Sequence, residues 1–191
     1  MLVIFDIDGT IIHTQIFEKN KIYIYRRPGL DELMEYVFNN FEVGFWTAAT
    51  HKYANFVLEK CLKRDHYNKI KFIYSYDRCR RRYEITEETG LIPQTTISKP
   101  LRKIWRTRNA KLKGWTKRNT LIIEDTQSNC IENYGNAIYV PSYNAININD
   151  EILYDLTLYL EQIRVIDNVR VIDKRNWVKS LAQEITTNEG L

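Results

Sequence analysis

The sequence predicts an α/β protein in which a Rossmann-like, mostly parallel central sheet lies between two layers of helices. Three observations support this fold class. Short apolar segments recur along the chain, amphipathic helical segments separate them, and polar residues directly follow three of the apolar segments. Fully apolar segments are typical of strands buried on both faces of a sheet, and their alternation with helices favours parallel connections. Ligands of such sheets bind at the carboxyl ends of the strands.

The first apolar segment is Leu2–Phe5, and the acids Asp6 and Asp8 follow it directly, before Gly9. Residues two apart point the same way in an extended chain, so we expect both carboxylates side by side at the C-terminal edge of the sheet. Two like charges this close are unfavourable unless a cation joins them or one stays protonated. Magnesium is the favoured cation, because it prefers hard oxygen ligands. The alternative is an ordinary acid-glycine turn.

The next segments predict a small hairpin, a helix, a strand and a second helix. In chain order they are 11–12 paired with 21–25, then 30–38, 42–46 and 53–62. The predicted strand 42–46 ends at Thr47. A hydroxyl at this place can hold a phosphate oxygen together with free backbone amides. The alternative is that Thr47 caps the following helix.

A third strand is predicted over 72–76, followed by an irregular segment over 77–97 that contains Arg78 and three further arginines. Lys99 comes next, and a lone lysine is usually just solvated. The segment Arg102–Arg118 then holds eight basic residues, two tryptophans and no acid. Basic residues interleaved with aromatic ones suit an RNA or phosphopeptide surface. The alternative is a solvated helix whose tryptophans pack on the core.

The C-terminal part predicts a strand over 121–123 that ends in Glu124 and Asp125. A short helix, a strand and two helices complete the prediction, over 126–132, 137–140, 152–163 and 177–185. Polar side chains thus follow three predicted strands. Because the carboxyl ends of parallel strands meet at one edge, these side chains are expected to share a single site.

The length of 191 residues suggests one domain over 1–191, and a net charge of +4 favours acidic partners such as phosphates. The three cysteines are far apart and form no disulfide or metal-binding pattern, which favours a reducing compartment. No signal peptide and no apolar segment of about 20 residues is visible. We therefore expect a soluble intracellular protein, in the cytoplasm or the nucleus, while the oligomeric state stays open.

Taken in order, the three strand ends and Lys99 resemble the four motifs of the haloacid dehalogenase superfamily of phosphotransferases. The chain is most similar to its C-terminal-domain phosphatase group, the small serine/threonine phosphatases that act on the RNA polymerase II tail and their relatives. The segment 6–13, DIDGTIIH, resembles the group's DLDETLVH, and 27–29 matches its RPG. The strand that ends in Thr47 and the pair Arg78-Cys79 also resemble the group. The resemblance extends to about residue 170.

This resemblance implies a phosphatase that works through an aspartyl phosphate. Asp6 would be the nucleophile, and Asp8 would be the general acid for the leaving alcohol and then the base for the hydrolytic water. Thr47 and Lys99 would hold the phosphoryl oxygens. No large cap domain fits between the motifs, so the site should be open and suited to a macromolecular substrate.

The resemblance also implies a magnesium ion as cofactor. Its ligands would be Asp6, the backbone carbonyl of Asp8, and Asp125. Glu124 would lie behind them and steady the motif lysine, and Arg78 would contact the substrate.

Three departures from the group concern Gly9, which replaces a glutamate, the segment 124–127, which replaces an Asp-Asn-Ser-Pro-like run, and the longer basic segment Arg102–Arg118. The first and third leave the substrate open. We expect hydrolysis of phosphoserine or phosphothreonine in a phosphorylated protein or peptide. The alternatives are a nucleic-acid end phosphatase that grips the backbone with Arg102–Arg118, and a catalytically silent phosphopeptide-binding scaffold.

Overall fold

The computed structural model describes residues 1–17, 21–84 and 94–178. Within these ranges the strands are, in chain order, β1 (Leu2–Phe5), β2 (Ile12–Phe17), β3 (Lys21–Arg26), β4 (Glu42–Trp46), β5 (Ile73–Tyr74), β6 (Arg80–Glu84), β7 (Gln94–Ser98), β8 (Thr120–Glu124) and β9 (Ala137–Tyr139). The α-helices are α1 (Leu30–Asn40), α2 (His51–Cys61), α3 (Arg64–Lys69), α4 (Arg102–Trp105), α5 (Arg108–Lys113) and α6 (Ile152–Ile163). None of these helices is both long enough and apolar enough to cross a bilayer.

Five strands form the central sheet in the order β5-β4-β1-β8-β9, and every neighbouring pair is parallel. β1 lies in the middle, with its Phe5 opposite Phe45 on one side and Ile123 on the other. All residues of β1 and β8 are buried, as expected for strands covered on both faces. The predicted parallel sheet is therefore confirmed, and the residues that follow β1, β4 and β8 emerge at one edge.

Each face of the sheet carries an apolar core, because successive residues of a strand point to opposite faces. Val3 and Phe5 pack with apolar residues of α1, α2 and α6 on one face. Leu2 and Ile4 pack with residues of α4 and α5 on the other. The predicted arrangement of helices on both faces is thus confirmed.

Two antiparallel hairpins are present in addition to the central sheet. The predicted pairing of 11–12 with 21–25 is confirmed by β2 and β3, although β2 extends further than predicted, to Phe17. The antiparallel pair of β6 and β7 lies within the segment 77–97. The prediction of irregular structure is therefore wrong for 80–84 and 94–97, while 85–93 lies outside the described residues. A 3-10 turn at Tyr76–Arg78 precedes it. Three arginines dominate the composition of β6, whereas 95–97 in β7 is a β-branched segment with a clear preference for strands.

The helix α2 begins at His51, two residues before its predicted start. Its N-cap is Thr50, whose hydroxyl accepts a hydrogen bond from Tyr53 N at 3.3 Å. The capping alternative for Thr47 is therefore wrong, which leaves that hydroxyl at the edge of the sheet without the local role that sequence suggested.

Three predicted elements near the C-terminus have different outcomes. The helix predicted over 152–163 is confirmed as α6. The short helix predicted over 126–132 is a 3-10 turn at Gln127–Cys130. The helix predicted over 177–185 lies mostly outside the described residues.

The basic segment Arg102–Arg118 forms two short helices, α4 and α5, with a turn between them. Trp115 is buried in the second core, and Trp105 packs against the same core. The indole Nε1 of Trp105 also donates to Thr120 Oγ1 at 3.1 Å. The tryptophans therefore serve the core, as in the second interpretation of this segment, and do not form an exposed stacking platform.

A buried ion pair connects the turn before α1 to the turn before α6. Arg27 is fully buried and donates from Nε and Nη2 to the two carboxylate oxygens of Asp150, at 3.0 and 2.9 Å. Its Nη1 donates to the carbonyl of Thr10 at 3.0 Å, and Asp150 also accepts from Ile152 N at 3.1 Å. One side chain thus fixes the loop after β1 and the start of α6.

We expect Arg27→Ala to lower the free energy of unfolding by about 3 kcal/mol, because it leaves a largely buried carboxylate without its partner. The neighbouring variant Arg26→Ala is the control, since Arg26 pairs with Asp31 where both side chains are about half exposed. Its cost should stay below about 1 kcal/mol. Urea unfolding measures both, and equal losses would contradict the structural importance of the Arg27 pair.

Candidate active site

Lys99 joins the ends of two central strands. It follows β7, is fully buried, and donates from Nζ to Asp6 Oδ1 and to Glu124 Oε2, the latter at 2.6 Å. Its backbone N–H donates to Asn129 O at 2.7 Å. The expectation that a lone lysine is solvated is wrong here, and the role of Lys99 in holding phosphoryl oxygens stays a prediction.

Burial and charge act in opposite directions on these three groups. Burial raises the pKa of Asp6, and the Lys99 ammonium opposes it. Burial and the nearby charge of Asp6 raise the pKa of Glu124 to about 8. Burial alone would lower the pKa of Lys99, but its two carboxylate partners outweigh that effect and raise it. Lys99 therefore stays charged, and burial makes ionisation of the two carboxylates less favourable than it is in water.

Glu124 is held at both of its oxygens. Oε2 accepts from Lys99, while Oε1 accepts from Asn129 Nδ2 at 3.0 Å and from Thr126 N at 3.3 Å. These contacts fix the Glu124 carboxylate beside Lys99, and its role in steadying the lysine stays a prediction. Sequence reasoning missed Asn129. The residue lies in a short polar stretch, and nothing in that stretch indicates a contact with Glu124 at the end of β8.

Carboxylate oxygens of Asp6, Glu124 and Asp125 lie within 4.8 Å of one another. With Lys99 as the cation beside them, such a group carries two negative charges in excess when all three acids are ionised. Oxygen ligands with excess negative charge suit a hard divalent cation such as Mg²⁺. The predicted set differs in one respect, since it has the backbone carbonyl of Asp8 where the cluster has the Glu124 carboxylate.

Asp8 directs its carboxylate to other partners than Asp6 does. Its Oδ1 accepts from Thr14 Oγ1 of β2 at 3.0 Å and from the Tyr53 hydroxyl of α2. β1 ends at Phe5, and the chain turns at Ile7. The two-residue alternation of a strand therefore does not reach Asp8. Nothing in the local sequence indicates Thr14 or Tyr53 as its partners.

Gly9 lies in the left-handed region, with φ of 78°. A Cβ atom here would collide with the Asp125 carboxylate and would lie 2.9 Å from Ser142 Oγ. The glycine also donates from N to Ile12 O and accepts at O from Tyr143 N, both at 2.8 Å. The departure from the glutamate of the resembling group thus has a local reason, since Asp125 fills the space beside the backbone.

Thr47 is buried at the end of β4, and its Oγ1 accepts from Ala49 N at 3.0 Å. Cys79 is buried next to it and donates from Sγ to the carbonyl of Thr47. Arg78 is half exposed, with its guanidinium over the Tyr74 ring at 5.2 Å. Among the described residues, no contact joins Arg78 to Lys99 or to the acidic cluster of the site. Its predicted role in substrate binding stays a prediction.

A family model described as NLI interacting factor-like phosphatase matches residues 1–170. The CTD phosphatase-like protein 355R of invertebrate iridescent virus 6 is 34% identical over 102 residues, which are 53% of this chain and 52% of that protein. Ubiquitin-like domain-containing CTD phosphatase 1 of Danio rerio is 23% identical over 187 residues, which are 96% of this chain and 56% of that protein. The chain thus spans about half the length of these curated relatives.

Two solved structures share the fold. The structure of Fcp1, an essential RNA polymerase II CTD phosphatase, gives a TM-score of 0.53 at 18% identity and covers 85% of this chain and 47% of that one. A structure of fission yeast Fcp1 bound to beryllium fluoride gives a TM-score of 0.51 at 17% identity and covers 97% of this chain and 55% of that one. At these identities the likeness extends to the fold alone.

We expect Gly9→Ala to weaken divalent-cation binding, because its Cβ must displace the Asp125 carboxylate. The control is Gly114→Ala, since Gly114 has a similar φ of 69° with no atom within 4 Å of the added Cβ. Both variants should lose about 1–2 kcal/mol of stability from the backbone conformation. Calorimetric titration with Mg²⁺ and urea unfolding separate the two effects. Unchanged Mg²⁺ affinity in Gly9→Ala would remove Asp125 from the cation site.

Proposed function

Because this chain belongs to the NLI interacting factor-like phosphatase family, we propose that it is a magnesium-dependent phosphatase acting on phosphoserine or phosphothreonine in a phosphorylated protein. The observation that carries the proposal is the buried Lys99 between Asp6 and Glu124, with Asp125 in the same acidic cluster. An ion pair that served stability alone would gain nothing from further acids beside it. We also infer that residues 1–191 form one domain, because the two cores share one sheet.

Asp6, Asp125 and the backbone carbonyl of Asp8 are the proposed ligands of the metal. When bound, Mg²⁺ would reduce the repulsion between the phosphate and an attacking carboxylate. The chemistry of the donors fits, since all are hard oxygen atoms. Glu124 keeps both oxygens engaged with Lys99, Asn129 and a backbone amide, and so acts as a support.

Asp6 is the proposed nucleophile. Its carboxylate oxygen forms a bond to phosphorus while the bond to the leaving oxygen breaks, which gives an aspartyl phosphate. Lys99 and Thr47 stabilise the negative charge on the phosphoryl oxygens during this transfer. Thr10 Oγ1 lies 3.4 Å from the other oxygen of Asp6 and orients the carboxylate. Splitting the hydrolysis into two transfers makes each step easier.

Asp8 is the proposed general acid and base. It donates its proton to the leaving oxygen in the first step and takes a proton from water in the second, so its protonation state is restored at the end. A well-placed acid of this kind contributes roughly 10²–10⁴ to the rate. Its hydrogen bonds with Thr14 and Tyr53 are the contacts that fix its position.

A nucleic-acid end phosphatase is the second candidate. It is favoured by exposed basic residues in the segment Arg102–Arg118, which contains no acid. The burial of Trp115 and the packing of Trp105 against the core remove the aromatic surface that would stack on bases. A catalytically silent scaffold is a third candidate, and it conflicts with the presence of competent residues at every proposed catalytic position.

We expect Asp6→Asn to abolish hydrolysis of para-nitrophenyl phosphate while the protein stays folded, because the amide is isosteric with the carboxylate but is not a nucleophile. Wild-type activity should require Mg²⁺ and disappear on chelation. Asp65→Asn is the control, since Asp65 is an exposed acid of α3. Wild-type turnover in Asp6→Asn, with a normal circular dichroism spectrum, would rule out the proposed nucleophile.

The role of Asp8 predicts a dependence on the leaving group. Tyr53→Phe should slow phenyl phosphate hydrolysis by about tenfold, which is part of the contribution of a positioned acid. It should affect para-nitrophenyl phosphate less, because nitrophenolate leaves without protonation. Tyr67→Phe removes a comparable phenol hydrogen bond, to Asn55, and is the control. Equal effects on the two substrates would argue against Tyr53 as a positioning residue for Asp8.

A further inference from the structure

A groove runs along the outer edge of β9 and begins at the candidate active site. Cavities of about 460 and 750 Å³ share three lining residues, Gln127, Tyr139 and Arg175, and therefore form one continuous depression. Asp125 lines the first cavity and Lys174 lines the second. We call this depression the β9 groove.

The outer wall of the β9 groove is formed by 169–178, a segment that folds back onto the edge of the sheet. Val169 N donates to Arg118 O at 2.8 Å, and Trp177 Nε1 donates to Tyr139 O at 2.8 Å. Trp177 is buried and lies against Tyr159, with ring centroids 5.4 Å apart. The family match ends at residue 170, so most of this wall lies beyond it.

Lys174 is the unusual residue of the groove, because it is a buried cation without an acidic partner. Its side chain is only 6% exposed, and Nζ donates to the carbonyls of Val169 and Ile172. No carboxylate of the described residues lies within 4.0 Å of it. Burial, and then the charge of Arg170, lower the pKa of Lys174 to about 8, although the nearby Asp173 carboxylate partly opposes this. A buried charge of this kind is unfavourable until an anion or further hydrogen bonds compensate it.

Two neighbouring arginines add to the positive charge. Arg170 lines the same cavity and donates from Nη1 to Asn136 Oδ1 at 2.7 Å, which leaves other guanidinium donors available. Arg175 pairs with Asp173 at 2.6 Å and so contributes little net charge. The end of the groove away from Asp125 therefore carries two cations, Lys174 and Arg170. Lys174 is buried, Arg170 uses one of its donors on Asn136, and no carboxylate of the described residues is bound to either.

We propose that Lys174 and Arg170 bind a second phosphate group of a multiply phosphorylated peptide while its reacting phosphate lies at Asp6. This inference rests on the proposed function for the location of the first phosphate. Phosphate fits the far end because it accepts charge-assisted hydrogen bonds from an ammonium and a guanidinium group together. A role for Lys174 that is limited to the two carbonyls would use only two of its three N–H donors.

The distance across the sheet and the length of β9 together set the spacing between the two phosphates. The groove extends from Val140, at the active edge, back to Ala137, which is about 10 Å at the rise of a strand. Two strand spacings, about 10 Å, separate β9 from β1, after which Asp6 lies. The two displacements are perpendicular and combine to about 14 Å, which an extended peptide covers in about four residues. The second phosphoserine should therefore lie about four residues from the reacting one, and peptides phosphorylated on either side determine the direction.

The test compares one peptide sequence with a single phosphoserine or with a second phosphoserine four residues away. Fluorescence anisotropy measures binding, and phosphate release measures turnover. Of the two doubly phosphorylated peptides, with the second phosphoserine before or after the reacting one, we expect one to bind about tenfold more tightly than the singly phosphorylated peptide. The reason is the additional charge-assisted hydrogen bonds to the second phosphate. Val171→Glu, at an exposed residue of the groove wall, should remove this preference. Val165→Glu is the matched control, because Val165 is equally exposed outside the groove.

Lys174→Gln should also remove the preference and leave the hydrolysis of para-nitrophenyl phosphate unchanged. Equal affinity for singly and doubly phosphorylated peptides would overturn the inference, as would a preference that survives in both Val171→Glu and Lys174→Gln. Tighter binding of a single-stranded oligoribonucleotide, lost in Val171→Glu, would overturn the assignment to a phosphopeptide. A preference in binding without any turnover would count against the proposed function and in favour of the groove.

Discussion

The rest of the site depends on a buried ammonium group between two carboxylates. Lys99 follows the β6–β7 hairpin, whereas Asp6 and Glu124 come from the central strands β1 and β8. In a medium of low polarity, attraction between such charges is strong, but so is the cost of removing them from water. The placement of β6 and β7, which positions Lys99, therefore also determines the charge of the site. Removing the cation would leave two acids that the interior cannot keep ionised.

The same arrangement explains why the site is unfavourable by itself. Three acids and one lysine give an excess of negative charge in a place where water has little access. Natural proteins often accept such local cost at functional sites, where a ligand or substrate completes the electrostatics. The Arg27–Asp150 pair is the contrasting case, because one cation meets one anion and the balance is complete within the chain.

The parallel sheet and its three polar strand ends could be predicted, because apolar segments such as Leu2–Phe5 report burial on both faces. The same reasoning located Asp6, Thr47 and the acids after β8. It could not locate the partners of Asp8, since Thr14 and Tyr53 approach it from a hairpin and a helix through tertiary packing. Local patterns also cannot show that Lys99 is buried, because only the assembled sheet surrounds it.

The two edges of the central sheet are closed in different ways. β5, at one edge, has only two residues, Ile73 and Tyr74. At the other edge, the indole of Trp177 occupies the carbonyl of Tyr139. Short or covered edge strands prevent a foreign chain from adding itself to a sheet through backbone pairing. A macromolecule that reaches this edge must therefore be recognised through side-chain contacts. Such recognition depends on chemical modifications of the macromolecule more than on its ability to form backbone hydrogen bonds with the sheet.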